Sequence, residues 1–85
     1  MNQKKEEVTI MSQKERYRFI RSEMVRRGIT NKLIADEADV SREYVFMVLN
    51  SERKGYRVRL IVANKCQLPV QILWPDTPSQ YLEAA

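Results

Sequence analysis

The chain contains no histidine and a single cysteine, Cys66. Those two absences exclude a Cys/His zinc cluster, a disulfide framework and any chemistry that runs through an imidazole. Glycine occurs only at positions 28 and 55, too far apart to build a glycine-rich phosphate cradle. No apolar run approaches the ~18 residues that a bilayer-spanning helix needs, and no secretory signal pattern is present, so no membrane partner is expected. Strand-like alternation and internal repeats are missing as well. With no acid–base pair at a useful spacing, the reading is of a protein that is not an enzyme and needs no cofactor, metal or small-molecule ligand. The carboxylates Asp36 and Glu37 are adjacent in sequence, read as solvent-facing, and lack a partner for proton transfer.

What is present is charge, and it is uneven. Eighty-five residues make one small domain, 44% apolar and 31% charged, with a net charge of +4. Residues 1–11 balance Lys4 and Lys5 against Glu6 and Glu7, and residues 66–85 carry only Asp76 and Glu83. Residues 12–65 hold thirteen basic side chains against seven acidic ones, a surplus of six. A basic body between near-neutral ends is the electrostatic footprint of a nucleic-acid binder, although solvated helix faces are often basic too. Arg16, Arg18 and Arg21 read as such surface.

Helix signals recur along the middle of the chain. Ser12 and Glu15 form a capping box ahead of a first helix over 13–27, with Tyr17, Ile20 and Met24 on one stripe and Gly28 as its stop. Thr30 caps a second helix over 31–38, with Ile29 and Ile34 at the spacing of a hydrophobic staple. Ser41 caps a third over 42–50, stapled by Val40 and Val45. Residues 51–56 are a basic loop and residues 57–66 a fourth helix. Pro69 opens a fifth that ends at Trp74, where Pro75 blocks continuation. Cys66 reads as a small core filler and Trp74 as the plug of the fifth helix. Residues 1–11 read as a flexible arm and 76–85 as a flexible tail, with Tyr81 and Leu82 its only adhesive side chains.

The second and third helices are joined so tightly that they must cross steeply. Small Ala35 suits the point of closest approach, and Ile34, Ala38, Val40, Val45 and Val48 suit the lining. Residues 31–50, NKLIADEADVSREYVFMVLN, resemble the twenty-residue helix-turn-helix of lambda-repressor-like DNA-binding domains. The family's small residue falls on Ala35, its hydrophobic turn residue on Val40, its cap on Ser41 and its inward aliphatics on Val45 and Val48. The surrounding order of five helices is similar to that family over about residues 12–75, and the segment ending Ile72-Leu73-Trp74-Pro75 resembles short phage Ner-type regulators. One position departs: Asp39 stands where the family usually has glycine, and the turn there requires a left-handed backbone, which aspartate tolerates.

The resemblance implies an all-α, compact five-helix lambda-repressor-like domain that binds double-stranded DNA, alone or as a homodimer over two half-sites. It implies a cytoplasmic, nucleoid-associated transcriptional regulator, a repressor of phage, prophage or bacterial type. The third helix would enter the major groove and the second would lie across the backbone. With Val45 and Val48 turned inward, helical periodicity sends Ser41, Arg42, Glu43, Phe46, Met47 and Asn50 outward as candidates for base readout, with Tyr44 at the flank. Arg27, Thr30, Asn31, Lys32, Tyr44, Arg53, Lys54 and Arg57 are the candidates for phosphate contact. Phe46 and Met47 are bulky apolar groups facing water; thymine methyls would explain them, and so would a protein interface. The alternative function is a partner-binding adaptor or antitoxin that uses the third helix and the tail.

Overall fold

The computed structural model describes residues 11–83. The arm expected over residues 1–11 lies almost wholly outside that range. Six helices follow one another: α1 (Gln13–Arg26), α2 (Asn31–Ala38), α3 (Arg42–Leu49), α4 (Tyr56–Cys66), α5 (Val70–Leu73) and α6 (Ser79–Glu83). No strand occurs among the described residues. Nor is any of these helices long and apolar enough to cross a membrane.

The first three helices start where their caps place them. Ser12 Oγ accepts from the Glu15 amide at 3.1 Å, and the Glu15 carboxylate accepts from the Ser12 amide at 2.9 Å. Thr30 Oγ1 accepts from the Leu33 amide and Ser41 Oγ from the Tyr44 amide, at 3.1 and 3.0 Å. Each such cap satisfies a helix-end donor and contributes about 1 kcal/mol. Between α2 and α3 the chain reverses through Asp39, whose φ of 61° and ψ of 49° are left-handed. The Val40 amide returns to the Ala35 carbonyl at 3.0 Å and closes the turn. Ala35, 3% exposed, is enclosed there.

The core is one cluster that draws on α1 to α5. Ile20 and Met24 come from α1, Ile34 and Ala38 from α2, and Val45, Val48 and Leu49 from α3. Val58, Val62 and Cys66 of α4 meet Val70, Leu73 and Trp74 from the α5 segment. Burial pushes the Cys66 thiol pKa up, outweighing the opposing charge of Arg27, as expected of a packing residue.

Residues 76–83, part of the tail expected over 76–85, fold back onto the domain. Thr77 is buried, its hydroxyl donating to the Trp74 carbonyl at 2.7 Å. α6 adds a sixth helix to the five expected, and Tyr81 stacks on Tyr56 with ring centroids 4.4 Å apart. The anchor beneath this segment is Arg59, a charged residue only 2% exposed. Its guanidinium donates to Asp76 and Thr77, both at 3.0 Å, and lies over the rings of Tyr56 and Trp74. A buried arginine needs a counter-charge and acceptors, and residues just past Pro75 supply both to Nη1, while the buried Nε has no partner among the described residues. Arg59 therefore belongs to the interior, and the basic surface is smaller than composition alone suggests.

Candidate nucleic-acid interface

Two stripes of side chains, one on α1 and one on α3, face each other in opposite chain directions. Gln13, Tyr17 and Arg21 are spaced four apart on α1, as are Arg42 and Phe46 of α3 and Asn50, which caps its C-terminus. At one end the Gln13 side-chain amide donates to the Asn50 carbonyl, closing the C-terminus of α3. In the middle, Tyr17 and Phe46 meet edge to face, centroids 5.8 Å apart at 73°. At the far end Arg21 and Arg42 line the same open pocket of about 420 Å³, together with Thr30, Asn31 and Lys32 on one side and Val25, Gly28 and Ile29 on the other.

That pocket lies at the N-terminus of α2, where no acidic side chain occupies the first turn. The positive end of the helix is therefore left without a carboxylate, and three cations surround it. Arg21 Nη1 donates to Asn31 Oδ1 at 3.2 Å, fixing the guanidinium beside the helix end. Lys32 pairs with Asp36 at 2.9 Å across two largely exposed side chains, a contact weak enough for Lys32 to exchange. Arg42 is exposed and forms no ion pair among the described residues. Chemically the pocket suits a phosphate, through amides and guanidinium groups together. Arg21, expected only as solvated surface, is brought into it. Its sequence signal was its place four residues beyond Tyr17.

On α3, Ser41, Arg42, Glu43 and Phe46 are exposed, while Met47 and Asn50 are half-buried. Ser41 is occupied as the helix cap, and its hydroxyl oxygen is turned to the Tyr44 amide. The Asn50 side chain donates to Glu52, so its amide is engaged within the loop rather than directed outward. Phe46 remains 43% exposed, and Tyr17 covers one side of it. The open part of this face therefore consists of Arg42, Glu43, Phe46 and part of Met47.

Of the remaining candidates for phosphate contact, several are held elsewhere. Arg27 turns back to the Glu23 carboxylate, which Arg26 also contacts. Arg27 first, and Arg26 after it, hold the Glu23 carboxyl below its usual pKa range. Arg57 Nη1 donates to the Ala38 carbonyl at 2.6 Å, stabilising the C-terminal end of α2. Tyr44 is half-buried and lines a recess with Gly55 and Arg57. Lys54 pairs with Asp76 at 2.7 Å. Arg53 is exposed, and its guanidinium reaches only the Glu52 carbonyl, at 3.3 Å. The structure thus gathers Thr30, Asn31, Lys32 and Arg42 with Arg21, and it separates Arg27 and Arg57 from them.

No family model matches the chain, and comparison with curated proteins and with solved structures finds no match.

Proposed function

We propose that this chain binds double-stranded DNA sequence-specifically and regulates transcription, as a repressor that occupies its site. In this reading the fold is the lambda-repressor-like one that residues 31–50 resemble, with α3 in the major groove and α2 across the backbone. The observation that carries the reading is the convergence of Arg21, Lys32 and Arg42 on the α2 N-terminus, beside the exposed face of α3. A phosphate held there would fix register, leaving Arg42, Glu43 and Phe46 to meet base edges. Arg53 extends the positive edge at the other end of α3. A homodimer over two half-sites would show itself as a palindromic target.

The protein-binding alternative retains one favourable observation: Val25, Leu33 and Ile72 are large apolar side chains between 43% and 64% exposed. It loses Tyr81, which is stacked on Tyr56; the side chain of Leu82 lies outside the described residues. A mobility-shift titration of a random duplex pool at several salt concentrations separates the two. The DNA reading expects discrete complexes whose log affinity falls linearly with log salt. If no duplex is retained at low salt, the adaptor reading replaces it.

A further inference from the structure

Phe46 is the exposed apolar centre of the α3 face, 43% exposed. Its neighbours at helical spacing are Arg42 and Glu43 before it and Asn50 and the buried Leu49 after it, none of them aromatic. A phenylalanine side chain so placed has rotamer freedom, and ordering it on contact with a ligand opposes binding. The group that restrains it comes from α1. Tyr17 is half-buried, packed against the core, and presents its ring at 73° to that of Phe46. The Gln13 bond to the Asn50 carbonyl, one turn away on both helices, holds the two stripes in register.

We propose that Tyr17 is a positioning residue for recognition of thymine: it sets the angle at which Phe46 meets the 5-methyl group in the major groove. The proposal rests on the DNA-binding reading and deepens it. Its physical content is preorganisation. The edge-to-face pair confines Phe46 to one orientation before contact, with its free side directed outward. The methyl group is the sole major-groove feature of thymine that uracil lacks, so the contribution of Phe46 reads out as a preference between those bases. Arg42 and Glu43, reading polar edges, do not distinguish them.

The test uses the full chain and one probe, the tightest duplex recovered from a random pool, made with thymine and with uracil. Wild type is expected to prefer the thymine duplex by about fourfold for each methyl that Phe46 buries. Phe46→Ala should bring the ratio close to one. Tyr17→Leu should also lower it towards one, because the aromatic wall is lost, whereas Tyr17→Phe keeps the ring and should retain the wild-type ratio. In a Phe46→Ala background, Tyr17→Leu should change the ratio no further. A merely structural role for Tyr17 would weaken both duplexes alike and leave their ratio untouched, which overturns the proposal. The Tyr17→Phe arm keeps the test valid should Tyr17→Leu fail to fold: a lost preference there refutes an aromatic buttress. A wild-type ratio of one with tight binding overturns this inference and leaves the DNA reading standing; absence of binding to any duplex overturns both.

Discussion

Replacing Asp76 by alanine isolates the buried Arg59, the feature that ties residues 76–83 to the domain. Arg59 is 2% exposed, and Asp76 is its carboxylate partner, at 3.0 Å. Removing one member of a fully buried pair costs about 3–5 kcal/mol. Asp76 itself is 52% exposed, and the stranded guanidinium keeps Thr77 and two aromatic faces, so the effect should be smaller. A charge-assisted hydrogen bond contributes about 1.5–3 kcal/mol, which places the expected loss near ~2 kcal/mol. For a domain of this size that lowers Tm by roughly 8–16 °C. Lys54→Ala removes the other, largely exposed contact to Asp76 and should cost under about 1 kcal/mol. Arg59→Met combined with Asp76→Ala should recover much of the loss, since no buried charge is left unpaired. Thermal melts followed by circular dichroism measure all three. Lys54, and then Arg59, hold the Asp76 carboxyl below its ordinary pKa. Its contribution is therefore complete above the unfolded carboxylate value of about 4 and is lost as pH falls through the lower folded value. Wild type and Asp76→Ala should thus differ by a constant amount between about pH 5 and 8, begin to approach each other near pH 4 and meet only below the lowered folded value. If Asp76→Ala melts no lower than Lys54→Ala, Arg59 is not held by this carboxylate and the argument for the folded C-terminal segment fails.

Gly55→Ala should lower stability by about 2–3 kcal/mol, because its φ of +43° is left-handed and a Cβ there would run into Val48 Cγ2. Gly28→Ala, at φ +71° with no atom within 4 Å of the added carbon, should cost only about 1–2 kcal/mol; equal melts for the two would mean that Val48 moves aside freely. Asp39→Gly should be neutral or stabilising and Asp39→Val destabilising, since a β-branched side chain resists the left-handed turn. Denaturant titration of that pair checks it, and identical midpoints would contradict the turn geometry. In the salt titration, Arg21→Ala should reduce the slope by about one unit and weaken all duplexes similarly, while Arg27→Ala should barely change it. The reverse order would move the phosphate site from the α2 N-terminus to the end of α1.

Features whose physics is local could be read from the amino-acid order. Ser12, Thr30 and Ser41 each accept from an amide three residues ahead, so the starts of α1, α2 and α3 were legible from a few letters each. The left-handed turn at Asp39 followed instead from the resemblance of residues 31–50, in which it stands at a glycine position, whereas Ser51 and Gln67, equally left-handed, carry no such marker and were not foreseen. The inward positions of α3, Val45 and Val48, followed from the 3.6-residue period. Which charges remain at the surface depends on long-range packing. Arg59 sits in an apolar helix and looks no different from Arg57 on paper. Its burial depends on Asp76 and Thr77 folding back across seventeen and eighteen residues. Arg57 is taken by a carbonyl nineteen residues away, and Lys54 by a carboxylate twenty-two away. The pairing of Gln13, Tyr17 and Arg21 with Asn50, Phe46 and Arg42 likewise requires α1 and α3 to pack in opposite directions. That packing is set by the shared core beneath them, not by either stripe. A cap or a turn is chosen within one helical turn of chain, whereas the partner of a charge is chosen by whatever the collapsed core brings beside it.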